Sequence, residues 1–315
     1  MRANEVLSKD EIQSLLKISD LRGLSEVLIT WGVIFGSFYL VSWKSNILTI
    51  FIAIYLIGGR QLALAILMHD AAHFALFNHK KINDFIGQWF CAAPVWHSLP
   101  KYRVHHLAHH KYAGSEQDPD YSLVKGFPIT RLSLIRKFAR DLFGISGIKR
   151  IFAQLLMDFG YLKYTVAANV EKDTEPRSLF SRFTYGLINF LPFLISNIAL
   201  YFILSYLGLG SVYYLWPVAY LTTFSLFVRI RSIAEHACTD MDLNPVKSTR
   251  TTYANIFARL SVAPHHVNYH LEHHFLMTVP SYRFPEFHKI LKERGVYQDG
   301  HLAQGYFEVL KSSYR

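Results

Sequence analysis

The 315-residue chain carries little charge and almost no cysteine. Asp, Glu, Lys and Arg make up 18% of it, against roughly 25% in a typical soluble domain. Hydrophobic residues reach 51%, with 24 Phe and 19 Tyr. That combination excludes intrinsic disorder, which needs few aromatics and a high charge density. Two cysteines, Cys91 and Cys238, exclude a disulfide scaffold, a four-cysteine zinc ribbon and an iron–sulfur ferredoxin. With 17 Gly and 11 Pro, a collagen-like or low-complexity fibre is excluded too. The charge that exists is unbalanced, 33 basic residues against 23 acidic, for a net +10. Such an excess suits a nucleic acid or an anionic membrane face. Its distribution points to membrane and away from nucleic acid.

A bilayer core is about 30 Å thick, so a spanning helix needs about 20 mostly apolar residues. Four windows reach or approach that length: 27–43, 47–68, 184–207 and 212–228. Within them Arg60 is the sole charge. Lys44, Ser45 and Asn46 join the first two windows, and residues 208–211 join the last two. Links this short predict two helical hairpins. Of the 33 Lys and Arg, only Lys44 lies in those links. By the positive-inside tendency the N-terminus, the long central segment and the C-terminus all face the cytosol. The expected fold is therefore an all-α integral membrane protein, one domain over residues 1–315. Four transmembrane helices in two hairpins carry a cytosolic helical cap. Lys9, Asp10, Glu11 and Lys17 interrupt any apolar run near the start, which argues against a signal peptide. Ser8 followed by Glu11 reads as a capping box opening a short amphipathic helix at 11–18, placed on the membrane surface. Residues 132–156 mix Arg136, Lys137, Arg140, Lys149 and Arg150 with Leu, Ile and Phe, and read as interfacial helices with a basic face, the alternative being a solvated helical face. Residues 82–96, with Trp89, Pro94 and Trp96, read as a re-entrant or interfacial helix. Arg60 is expected to snorkel, to pair with Asp70 or to serve function.

Histidine is the residue in excess: there are 16, mostly clustered. His69 and His73 stand at i and i+4. His106, His109 and His110 stand at i, i+3 and i+4, and His270, His273 and His274 repeat that pattern. On a helix each set shares one face. A face of imidazoles makes a ligand wall for iron, zinc or copper. His236 follows the fourth window as His69 follows the second. Nine such nitrogens exceed the four ligands of one tetrahedral zinc and suit two metals of higher coordination number. Every cluster falls at the cytosolic end of a window or beyond it, so all four can converge below the membrane surface. Histidines of a transport path would lie nearer the midplane. His79, His97, His288 and His301 stand alone and are expected at a surface or interface. His265 is not expected to be a ligand.

These residues resemble the membrane fatty acid desaturase family, the histidine-box non-haem diiron oxidases. His69-x3-His73, His106-x2-His109-His110 and His270-x2-His273-His274 fit its three boxes, with His236 as the additional ligand. Arg103, Gly114 and Asp118-Pro119-Asp120 fit the flank of the second box, and Asn268, Glu272 and Val279-Pro280 that of the third. The resemblance spans roughly residues 30 to 295. The stretches around Glu235-His236 and 268–274 are most similar to a bacterial subgroup of rhizobitoxine desaturase-like proteins. It implies two non-haem irons held by these nine histidines, O2 as co-substrate and two electrons per turnover. The substrate implied is a lipid acyl chain or related alkyl group reached from the membrane. Histidine ligands are oriented by acceptors on their other nitrogen. Asp70, Glu235 and Glu272, each next to a ligand position, are the candidates. His105, His266 and Asn268 are further candidates for supporting roles, and no catalytic residue is expected beyond the metal ligands. No His-Pro-Gly-Gly haem motif occurs, so an external donor of ferredoxin or cytochrome b5 type is expected. Three residues between His69 and His73 lean toward acyl-lipid substrates. The absence of a fused reductant and of a retention signal at 311–315 leans toward a bacterial inner membrane. Competing readings are a lipid or carotenoid hydroxylase or ketolase of the same fold, a membrane zinc hydrolase, and a non-enzymatic metal carrier. The hydrolase would need only three histidines, a water and a carboxylate base, and no HExxH is present.

Overall fold

The computed structural model describes residues 3–315. In chain order the main helices are α1 (Lys9–Leu15), α2 (Asp20–Trp43), α3 (Ile47–Ala72), α4 (Lys80–Ile86), α5 (Leu99–Tyr112), α6 (Arg131–Leu142), α7 (Ile145–Asp158), α8 (Leu179–Tyr206), α9 (Leu215–Leu221), α10 (Thr223–His236), α11 (His270–Phe275) and α12 (Phe284–Glu293). The strands β1 (Arg250–Thr252) and β2 (His301–Ala303) pair in parallel, Arg250 opposite His301. The chain is thus mostly helical, with one minimal sheet that its sequence did not announce.

Four stretches are long and apolar enough to cross a membrane: α2, α3, α8 and Gly210–His236, the last comprising a 3-10 turn, α9 and α10. All four outrun the windows expected from composition, and capping explains why. Ser19 accepts from Arg22 N and starts α2 seven residues before the uncharged window, so Asp20, Arg22 and Glu26 lie within the helix. Asn46 and Thr49 form a reciprocal capping box that starts α3. Ser178 does the same for α8 through Ser181 N at 3.2 Å. The fourth stretch is not one continuous helix, because Thr222 (φ −107°, ψ −89°) breaks it between α9 and α10. Two glycines let α3 approach its neighbours. A Cβ on Gly58 would lie 2.1 Å from Thr223 Oγ1, and one on Gly59 would lie 2.0 Å from the Leu260 carbonyl.

The largest apolar core joins α2, α3 and α8 to α10, around Phe38, Ile57, Leu204, Trp216 and Phe224. A second core joins the N-terminal segment to α11 and α12, where Leu7, Leu15, Leu271, Phe275, Phe284, Phe287 and Leu291 pack together. This corrects the expectation for the N-terminal helix. The Ser8–Glu11 capping box forms, with bonds of 2.7 and 3.2 Å. The helix ends at Leu15, however, and Leu15 is fully buried in this second core.

Residues 80–95 run through α4, a π-helical stretch Gly87–Ala92 and a 3-10 turn Ala93–Val95. Trp31 Nε1 donates to Phe90 O at 3.0 Å and Asn197 Nδ2 to Pro94 O at 3.2 Å. Trp31 and Asn197 lie near the middles of α2 and α8, so this segment dips between the spans.

Candidate metal centre

Each histidine set sits where a helix ends, and each end is held. The last carbonyls of α3, at Ala71 and Ala72, accept from Arg103 Nη2 (3.0 Å) and Nε (2.9 Å), and Ala71 O also accepts from Asn83 Nδ2 (2.9 Å). Arg103 is in turn paired with Asp84 at 2.5 Å. These side chains satisfy carbonyls that a helix C-terminus leaves free and complement its dipole. They also dock α5 against the turn that carries His69 and His73. At the other end of the site the guanidinium of buried Arg250 donates to the carbonyls of Ile233, Ala234, Ala237 and Cys238 at 2.8–3.4 Å. It closes α10 where His236 stands.

The nine histidines named from the sequence come together, but not as the boxes suggest. His69, His73, His106, His110 and His273 form one cluster, and His109, His236, His270 and His274 a second. Within each, one nitrogen per ring lies within 4.8 Å of all the others. Each three-histidine box is therefore divided between the two clusters. His109 leaves its neighbours for the second, and His273 leaves its own for the first. The walls expected from helical spacing are shared walls. The clusters adjoin, with the His110 and His274 rings 4.2 Å apart between centroids.

Several rings present Nε2 inward because Nδ1 is occupied. His109 Nδ1 donates to Asp118 Oδ1 (2.8 Å) and His236 Nδ1 to Ser248 O (3.0 Å). His69 Nδ1 faces Asp70 at 3.3 Å, whereas His270 Nδ1 makes no hydrogen bond and only lies 3.4 Å from Glu235, which is paired with Arg231 at 2.6 Å. The inward nitrogens then crowd: His69 and His273 at 2.9 Å, His106 and His110 at 3.0 Å, His236 and His270 at 2.7 Å, His109 and His274 at 3.3 Å. Two nitrogens bonded at right angles to one ion at about 2.1 Å would lie about 3 Å apart. His73 Nε2 is buried with no hydrogen-bond partner, which leaves a lone pair without another use. The residues fit a pair of nitrogen-ligated metal ions.

Burial and the mutual repulsion of neighbouring imidazolium charges keep the rings neutral, as metal ligation requires. They hold His106, His110, His270, His273 and His274 well below the ordinary histidine range, and burial with the nearby Arg103 charge brings His73 to about 3. His109 alone is raised: burial opposes the charge, but the Asp118 hydrogen bond and the charges of Asp120, Asp118 and Glu235 prevail. Asp120 is held low despite burial, by its hydrogen bond with His105 and by His109.

Some supporting residues stand elsewhere than expected. Glu272 does not face a cluster histidine. It is fully buried and takes hydrogen bonds from Thr251, Tyr297 and His288. This corrects the expectation for His288, which is buried rather than on the surface. Asn268 donates to Thr252 O (2.9 Å) and braces β1. His266 is half-buried, with no bond to the clusters. His105 supports at one remove, through Asp120 at 2.8 Å. His265, as expected, is outside both clusters, with Nε2 2.9 Å from Thr30 Oγ1. Arg60 neither snorkels nor meets Asp70; it is buried and donates to Arg259 O at 2.9 Å. Asn83, Ser248 and Arg250 are not legible in the sequence, which places Asp118 only on the flank of the second box and gives it no bond to a histidine. The Asp-Pro-Asp run nine residues after His109 was the one available signal.

Four apolar helices and two adjoining all-histidine clusters at their ends define a metal-site protein consistent with a membrane setting. The sequence profile of the family described as fatty acid desaturase matches residues 45–306, and the chain belongs to that oxidoreductase family. It is similar to the dihydrorhizobitoxine desaturase of Bradyrhizobium elkanii, 29% identical over 245 residues, which cover 76% of this chain and 66% of that protein. It is also similar to the sn-1 oleoyl-lipid 12-desaturase of a Synechocystis species, 25% identical over 283 residues, 85% of this chain and 75% of that one. The chain thus spans just under two thirds of the first relative. The likeness supports the rhizobitoxine desaturase-like subgroup expected from the residues around the boxes.

Proposed function

We propose that the chain is an O2-dependent diiron desaturase that places a double bond in a lipid acyl chain or related alkyl group. The observation that carries the reading is the resolution of nine histidines into two adjoining nitrogen clusters at the ends of apolar helices. The overall change is CH2–CH2 plus O2, two electrons and two protons, giving CH=CH and two waters. When bound, two irons would supply the activation of O2 that removes hydrogen from an unactivated chain. His69, His73, His106, His110 and His273 would hold one ion, and His109, His236, His270 and His274 the other. Asp118, Asp70 and the Ser248 carbonyl fix the orientations of His109, His69 and His236. An apolar substrate drawn from lipid accounts for ligands set at the ends of spanning helices, and a buried site limits side reactions with water.

The reading includes a topology. The four stretches form two hairpins through the links after Trp43 and Tyr206, and residues 1–315 are one membrane-bound domain. Both termini and the metal site face the cytosol, in a bacterial inner membrane. Electrons come from a separate ferredoxin- or cytochrome b5-type protein that meets the basic cytosolic face. The names of the two relatives specify different substrates for those proteins, and the acyl-lipid assignment for this chain rests on the lipid-facing layout.

Elemental analysis of detergent-purified protein made with iron supplied tests the centre: close to two irons per chain is expected. One zinc per chain would move the site to hydrolytic chemistry and overturn the proposal. Mass spectrometry of host lipids then separates a loss of two hydrogens, the expected result, from the gain of an oxygen that marks a hydroxylase.

A further inference from the structure

The helices α6 and α7 form a hairpin that runs alongside the fourth apolar stretch rather than across the cap. Near its base, Leu134 packs with Ile233 and Ala234. Further along, Asp141 takes a bond from Arg229 Nη2 at 2.9 Å. Past the turn, Gly147 meets the Leu221 backbone so closely that a Cβ would sit 2.4 Å from Leu221 O, and Arg150 Nη2 donates to Tyr220 O at 2.7 Å. The partners therefore step back along the chain from Ile233 to Tyr220, toward the middle of Gly210–His236. At its far end α7 meets the N-terminal half of α8, where Asn189 donates to Asp158 O at 3.4 Å.

Among the described residues nothing packs on the outer face of this hairpin. Leu132, Ile135, Phe143, Ile145, Ile148 and Phe152 make one apolar stripe over both helices, with Phe143 at the turn 81% exposed and Phe152 64% exposed. At the turn Phe143 N donates to Ala139 O and Gly144 N to Asp141 O, with Gly144 in the left-handed region (φ +76°). Beside the stripe Arg136, Lys137 and Arg140 line a groove of about 500 Å³ with Phe143 and Ile145 at its apolar end. Among the described residues none of these three cations has a carboxylate within ion-pair distance.

We infer that the α6–α7 hairpin is a re-entrant arm inserted in the cytosolic leaflet, its stripe among acyl chains and its Arg136–Lys137–Arg140 groove on the phosphate of an anionic phospholipid. The exposed apolar area and the unpaired cations are complementary to the two layers of one lipid molecule, chain and head group. The arm goes beyond the catalytic reading and rests only on the part of it that sets the four stretches across a bilayer.

The test places an environment-sensitive fluorophore at Phe143→Cys, Ile198→Cys and Lys289→Cys, each in a Cys238→Ser background, with Cys91 buried. The protein is held in vesicles containing nitroxide lipids labelled at the head group or deep in the acyl chain. Position 143 should be quenched by the acyl-chain nitroxide at least severalfold more than position 289, which lies on the exposed face of α12. A label at 143 that reacts with an impermeant maleimide as fast as one at 289, and that lipid nitroxides leave unquenched, overturns the arm. The label at 198 reports on the span α8 by itself. Were it also unquenched, the spanning reading would fall, and the arm with it. For the groove, retention of phosphatidylglycerol over phosphatidylcholine is read by native mass spectrometry. The R136Q/R140Q double variant should lose about tenfold of that preference, and an unchanged preference overturns the head-group assignment.

Discussion

At the scale of single residues the site is governed by what sits on the far nitrogen of each ring. A carboxylate can only accept, so Asp118 at 2.8 Å fixes the His109 proton on Nδ1 and turns the Nε2 lone pair to the second cluster. An amide can rotate to present either group and carries no charge. Asp118→Asn is therefore expected to weaken metal affinity at the four-histidine cluster by about 10- to 100-fold. Dialysis against graded iron concentrations, followed by metal analysis, should show one ion lost before the other. Two ions retained as tightly as in the unmodified protein would remove Asp118 from the set that orients the ligands. Glu272 makes the opposite point. It lies between His270 and His273 in sequence, yet its partners Thr251, Tyr297 and His288 come from β1 and the far side of the cap. Adjacency along a helix of 3.6 residues per turn sends neighbouring side chains to different faces, so Glu272 anchors the helix while the histidines face the two clusters.

At the scale of elements, the packing of α3 decides whether the halves of the site meet. Its glycines differ in consequence from Gly32 of α2. A Cβ on Gly59 would press on the Leu260 carbonyl at 2.0 Å and the Ser261 backbone at 3.0 Å, whereas nothing lies within 4 Å of a Cβ on Gly32. Backbone atoms cannot move aside as the end of a flexible side chain can. Gly59→Ala should cost roughly 1–3 kcal/mol through overpacking. Gly32→Ala should be neutral or slightly stabilising, because alanine is the better helix former. Thermal unfolding in detergent compares the two, and equal midpoints would show that α3 does not need the close approach. The capping arginines belong to the same scale. Arg103 and Arg250 each close a helix that ends in ligand positions, so the metal-facing ends are held by side chains from elsewhere in the chain.

At the scale of the whole molecule the two clusters are a cross-link. Their histidines come from α3, α5, α10 and α11, and the contact between His69 and His273 spans 204 residues of sequence. Nine nitrogens gathered without metal bring together dipoles that would otherwise be hydrated. Ions that bind only the folded chain stabilise it by about 2.7 kcal/mol each at a hundredfold excess over Kd. Stripping the metal with a chelator should lower the unfolding temperature in detergent, and restored ferrous iron should return it. An unfolding temperature indifferent to chelation, in protein shown to have lost its metal, would mean that the cap holds these helices without the ions.

The sequence by itself determined the number and rough place of the apolar helices and the nine histidines that come together. Both are local patterns: a run of uncharged residues, or imidazoles three and four apart on one face. Span lengths were underestimated because capping lets Asp20, Arg22 and Glu26 enter a helix that a charge-free window leaves out. Only the tertiary structure decided which cluster each histidine joins, since helices crossing at an angle send His106 and His109 to different partners although both lie on one face. The same holds for Ser248 and Arg250, whose roles rest on backbone carbonyls that have no signature in sequence. The α6–α7 hairpin lies between these cases. Its basic amphipathic character was legible, but its descent to Leu221 follows from a glycine contact between segments more than seventy residues apart, which no periodicity encodes.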